Sequence, residues 1–135
     1  MPPERRPPDD PREWLNRARS NLVRAQTTLP GVYLEDLCFD AQQAADKAIK
    51  AVLIARGVDF PLVHDLARLL TLLGQSGEAI PQAIADATDL TRFAVATRYP
   101  SVAEPVTTEE HQRAVAIAAA VVRWADGRIG GWVER

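Results

Sequence analysis

His64 and Asp65 are adjacent, and a histidine beside a carboxylate is the simplest acid–base pair that a protein can offer near neutral pH. The same two residues just before a helix also serve as backbone caps, so both roles stand open. Lys47 and Lys50 are three residues apart and share one side of a helix; with Arg56 they would form a basic strip for phosphates, or else a solvated face. Arg98-Tyr99-Pro100 sets a guanidinium and a phenol at a chain break. There Arg98 can grip a phosphate with two parallel hydrogen bonds, or pair with a carboxylate such as Glu104. Tyr99 can stack on a base or close the core with its hydroxyl at the rim. A pairing of His64 with Arg98 across the fold would join the two groups into one site.

The remaining reactive residues fit structural roles. His111 follows Glu109-Glu110 in a first helical turn and is expected on the surface. Cys38 lies in an apolar stripe and is expected in the core. Two distant histidines and one cysteine have no metal-ligand spacing, so neither metal nor cofactor is expected. Gly74 to Gly77 is too short and lacks the pattern of a phosphate-cradling loop.

With 135 residues, 47% hydrophobic and 25% charged, the chain suits one domain with one core. A formal charge of −2 gives no bulk attraction to nucleic acid, so any RNA contact needs a local basic patch. No apolar run is long enough for a membrane span, and the proline-rich, charged N-terminus is not expected to act as a secretory signal. One cysteine forms no internal disulfide, and a cytoplasmic setting is expected.

Five of the ten prolines fall within residues 1–11, which are expected to be a disordered arm preceding a helical domain over 12–135. Leu15, Ala18, Leu22, Ala25 and Leu29 mark a first helix capped by Asp9 or Asp10 and ended by Pro30-Gly31. From Leu34 to Leu53 a broader stripe predicts a central helix stopped by Gly57, with either Gln42 or Gln43 buried in a contact. Pro61 forces an extended link. A short helix follows with Leu66, Leu69, Leu70 and Leu73 inside, then another from Pro81 to Tyr99. Thr107 and Glu110 have capping-box spacing and open the last helix. The result is an all-α, up-down bundle of four main helices plus a short one.

Three stretches resemble the HEPN family: Glu13-Trp14-Leu15-Asn16-Arg17-Ala18; the run Cys38 to Ala51, followed by Gly57, Phe60-Pro61 and His64-Asp65-Leu66; and Arg98-Tyr99-Pro100. Their order and spacing carry the likeness across the chain. The resemblance implies a helical bundle, a homodimer, and a role with a nucleotidyltransferase protein partner, as in toxin–antitoxin modules, or in binding a nucleotide or RNA. The ligand site is expected at Arg98, Tyr99, His64, Asp65, Lys47 and Lys50, with Arg98 resting mostly on the resemblance and the others on residue type and spacing. Nuclease members of that family carry an arginine, four to six residues, then a histidine. Here the matching positions before His64 are Asp59, Val58 and Gly57, and before His111 they are Val106, Pro105 and Glu104. The motif is absent, so a noncatalytic domain is expected first. A metal-independent endoribonuclease with an atypical site of Arg98, His64 and Tyr99 comes second, and a ligand-free dimerisation module third.

Overall fold

A computed structural model describes residues 2–96 and 105–130, with residues 95 and 96 as backbone only. It contains α1 (Pro11–Gln26), α2 (Leu34–Ala55), α3 (Leu66–Gln75), α4 (Gln82–Ala85), a 3-10 segment (Asp86–Leu90), α5 (Phe93–Ala96) and α6 (Thr108–Ile129). No strand occurs among the described residues.

Local chemistry sets the helix limits. Asp10 caps α1 by accepting the Arg12 N–H at 2.9 Å, and Pro11 opens the helix where its missing donor costs nothing. At the other end α1 stops at Gln26, one turn before the expected Pro30-Gly31, and Leu29 is 57% exposed rather than part of the stripe. The β-branched pair Thr27-Thr28 follows Gln26, and Thr27 turns its hydroxyl back onto the Val23 carbonyl at 2.7 Å. Gly57 ends α2 at φ +70, with Val58 N–H on Leu53 C=O at 2.9 Å and Gly57 N–H on Ile54 C=O at 3.0 Å, a Schellman stop. Asp65 caps α3 through the Ala67 N–H at 3.1 Å. Thr107 and Glu110 form the full capping box of α6.

Over its described residues, which end at Ala96, the helix expected from Pro81 to Tyr99 is instead broken into α4, the 3-10 segment and α5. Asp86, Thr88, Asp89 and Thr91 fall in this stretch, and such short polar side chains compete for the backbone and weaken a helix interior. Its apolar positions still face inward: Ile84, Ala87, Leu90 and Phe93 are buried.

The long helix α2 is the centre of the bundle and packs along α1 and α6. Ala41, Ala44, Ala45 and Ala48 are fully buried and let the helices approach closely. This small-residue face of α2 is therefore used up within the chain. Larger side chains, including Ile49, Leu53, Leu69 and Leu73, fill the rest, each worth about 1.5–3 kcal/mol when fully buried. Exposed large apolar side chains are Val23, Leu29, Val32, Tyr33 and Leu62. Among the described residues no helix is long and apolar enough to cross a membrane.

Candidate functional site

Two adjacent rows of polar residues on α2 meet α1 and the link before α3. One row is Gln42, Asp46 and Lys50, each separated by one turn and each buried. Asp46 is 1% exposed, yet it is a carboxylate inside a bundle, so its partners decide whether it is tolerated. His64 Nδ1 reaches its Oδ2 at 2.6 Å. Lys50 Nζ lies 2.7 Å from Oδ1. That approach is an ion pair off the angle of a hydrogen bond, which leaves Oδ1 without one. Gln42 supports the same residue from the backbone side, donating to the His64 carbonyl at 3.4 Å, while Gln43 donates to Gln42 Oε1 at 2.7 Å.

An ionised carboxylate only accepts, so the His64 proton sits on Nδ1 and Nε2 is left as the basic nitrogen. Nε2 has no protein partner among the described residues, and the His64 side chain is 52% exposed. This is an imidazole held by a buried carboxylate with its second nitrogen turned to solvent. Phe60 lies against the same cluster, with Lys50 Nζ 5.8 Å from its ring centre and Trp14 packed edge-on at 6.1 Å.

The second row faces α1. Lys47 is half-buried and donates to Asn21 Oδ1 at 2.7 Å. Asn21, itself buried, donates to Asp40 Oδ1 at 3.1 Å, and Arg24 pairs with that same oxygen at 3.3 Å. Arg17, one turn before Asn21, is tied to Glu13 at 2.7 Å. Each guanidinium thus has a carboxylate, whereas Lys47 bonds only a neutral amide. Burial above all lowers the Lys47 pKa; Arg17 and Arg24 add to the effect against the raising pull of Asp46 and Asp40. Next to Arg24 and Asp40 a shallow depression of about 560 Å³ has apolar walls from Leu29, Val32 and Phe39 and carries the Asp36 carboxylate, unpaired among the described residues. Its size suits a small organic ligand.

The structure thus gathers Lys47, Lys50 and His64 around α2. Asp65 caps α3, and the carboxylate that pairs with His64 is Asp46 rather than Asp65. Arg56 leaves the proposed strip: at the far end of α2 it binds Ser76 and pairs with Glu78 at 2.7 Å, and Glu78 also holds Arg128 at 2.8 Å. Lys50 is not part of a solvated face, being 5% exposed. His111, expected on the surface, is 8% exposed and donates from Nε2 to the Ala25 carbonyl at 2.8 Å, filling an open acceptor near the end of α1. Cys38 is fully buried, and burial pushes its thiol up to about 11, which keeps it unreactive. Arg98, Tyr99 and Glu104 lie outside the described residues. Among the described residues no cluster could hold a metal ion.

Reading the sequence alone passed over Asp46, Asp40 and Asn21. The available signal was their position: charged or amide side chains at helical spacing within otherwise apolar or alanine-rich stripes, where only a partnered group is tolerated.

Comparison with known proteins bears on the family and the fold. The profile of the HEPN domain matches residues 11–128. The crystal structure of TT1696 from Thermus thermophilus is similar at 31% identity and a TM-score of 0.75, covering 89% of this chain and 98% of that one. ST0689, described as an archaeal HEPN homologue, is similar at 27% identity and a TM-score of 0.71, covering 94% of this chain and 99% of that one. No curated protein matches the chain. With the family profile spanning nearly all of the described helices, the chain belongs to the HEPN domain family.

Proposed function

We propose that this domain holds the phosphate of a nucleotide or RNA on the α1–α2 face, and that it does so without cleaving it. The observation that supports this most is Lys47: a half-buried cation bonded to a neutral amide, flanked by Arg17 and Arg24. An anion placed there gains charge-assisted hydrogen bonds without displacing a carboxylate from the lysine. The adjoining apolar depression offers room for a sugar or base. Arg98 and Tyr99 are proposed as further contacts on the family resemblance alone. The same resemblance proposes a nucleotidyltransferase partner, as in a toxin–antitoxin module, and a homodimer.

Titration calorimetry with AMP and with inorganic pyrophosphate tests this reading. Lys47→Gln is expected to weaken binding roughly tenfold or more, the worth of one charge-assisted hydrogen bond. Arg98→Ala is expected to weaken binding with little change in melting temperature. Absence of binding, or equal binding by Lys47→Gln, rejects the site. If nucleotides also leave melting unchanged, a ligand-free helical module is the better account.

One observation favours a catalytic second reading. His64, oriented by Asp46, has the protonation pattern of a general base, and a base beside bound RNA can activate a ribose 2′-OH. Cleavage of a labelled structured RNA in chelator, lost in His64→Ala and in Arg98→Ala, would establish it. Intact RNA with folded protein leaves binding alone.

A further inference from the structure

Of the sixteen Lys and Arg residues in this chain only two are lysines, Lys47 and Lys50, and both stand in the α2 cluster. Everywhere else the chain uses arginine, which stays charged; a lysine can lose its proton and act as a nucleophile. The two lysines also differ. Lys50 is 5% exposed and paired with a carboxylate at 2.7 Å. Lys47 is more accessible and bonds only the Asn21 amide, which shares the Asp40 carboxylate with Arg24, and the charges of Arg17 and Arg24 act on it.

We propose that Lys47 is an acylation site, its amine attacking the carbonyl of a mixed carboxylic–phosphoric anhydride whose phosphate rests against Arg17 and Arg24. The proposal builds on the phosphate-holding reading above. Free amine Nζ adds to the acyl carbon; the N–C bond forms, the bond from acyl carbon to phosphate oxygen breaks, and phosphate leaves as an anion beside the guanidiniums. The ammonium proton goes to water, and nothing is oxidised or reduced. The depressed Lys47 pKa enlarges the free-amine fraction, about tenfold for each unit. The amide product keeps one N–H for Asn21 Oδ1, so the contact between α1 and α2 survives. It loses the positive charge, so the phosphate face is weakened: acylation would switch the binding site off without unfolding the domain.

The experiment treats the full chain near neutral pH with acetyl phosphate or acetyl adenylate and follows Lys47 and Lys50 by peptide mass spectrometry. Lys47 is expected to be acetylated several-fold faster than Lys50 and than Lys47 in the urea-unfolded chain, in the direction of its lowered pKa and of the guanidiniums beside it. Inorganic phosphate is expected to protect it, and the faster donor identifies the natural class. Because Arg17→Gln with Arg24→Gln also alters the amine itself, the same variant is treated with the uncharged donor p-nitrophenyl acetate; slowing is expected to be larger with the phosphate donors. A Lys47 rate equal to that of the unfolded chain, or no protection by phosphate, overturns the proposal. AMP titration of the same preparation separates the two readings. Binding without acylation removes this inference only, while neither binding nor acylation removes both.

Discussion

His64 and Asp46 meet at 2.6 Å, the histidine half-exposed in the link before α3 and the aspartate sealed inside the bundle on α2. A buried carboxylate of this kind is tolerated because two cationic or polar partners close on it, and the arrangement ties the link to the central helix. The exposed imidazole nitrogen and the buried charge are thus parts of one device.

Asp46→Ala leaves Lys50 buried with no carboxylate. The loss is expected to be about 3–5 kcal/mol, the usual cost of removing one member of a buried pair. Replacing both groups, Asp46→Ala with Lys50→Met, takes the orphaned charge away and is expected to recover most of that. Urea denaturation of the three chains checks this. A double variant as unstable as the single one would show that the charge is not the source of the loss.

His111→Ala removes the donor to the Ala25 carbonyl in a buried place. About 1–3 kcal/mol is expected for an acceptor left unpaired, with packing loss adding to it. Measured by thermal melting, a change no larger than that of a surface substitution would place His111 back in solvent, where the sequence alone had put it.

That histidine illustrates what periodicity reveals and what it does not. Helical spacing located all the long helices, because apolar stripes and caps such as Asp10, Gly57 and Thr107 act within a few residues. The buried ends of Lys50 and His111 depend on which helix lies opposite, and neighbouring residues carry no record of that. That one of Gln42 and Gln43 lies inside was legible because both interrupt a broad apolar stripe; that it is Gln42 depends on the packing. His64 was legible as reactive, but its partner was sought in Asp65, one residue away. The true partner, Asp46, lies eighteen residues earlier and meets it only once the link folds back over α2. The helix after Pro81 failed for a local reason, since four Asp and Thr residues outweighed a correct apolar pattern.

Acid should act on the start of α6. Glu110 is held down to about 2 from 4.5 by the hydrogen bond from Arg92 first, then by the backbone and hydroxyl of Thr107. Its folded pKa lies below the unfolded one. Its contribution is therefore complete above about pH 4.5 and is lost as pH falls toward about 2. Asp10 and Glu13 are lowered too, so the parent protein alone cannot isolate the effect. Comparison with Glu110→Gln can: the difference in melting temperature is expected to be largest near neutral pH and to vanish toward the acid end. A difference independent of pH would mean that the carboxylate charge is not what the cap uses. Thr107→Ala, which removes the other half of the capping box, is expected to cost about 0.5–2 kcal/mol.

Two glycines on either side of the link should respond with opposite signs to the same substitution. Gly57 ends α2 at φ +70, and a Cβ there would touch nothing within 4 Å. Strain is the whole effect, so Gly57→Ala is expected to destabilise by about 1–2 kcal/mol. Gly74 lies inside α3 without a positive φ, and a Cβ there is also unobstructed. Ala in that place lowers the entropy of the unfolded chain and favours the helix, so Gly74→Ala is expected to stabilise by about 0.4–1 kcal/mol. Since neither site has a steric neighbour, backbone conformation is the only difference between them. Chemical denaturation of both variants gives the signs directly, and equal signs would mean that Gly57 is not held in the left-handed region in solution.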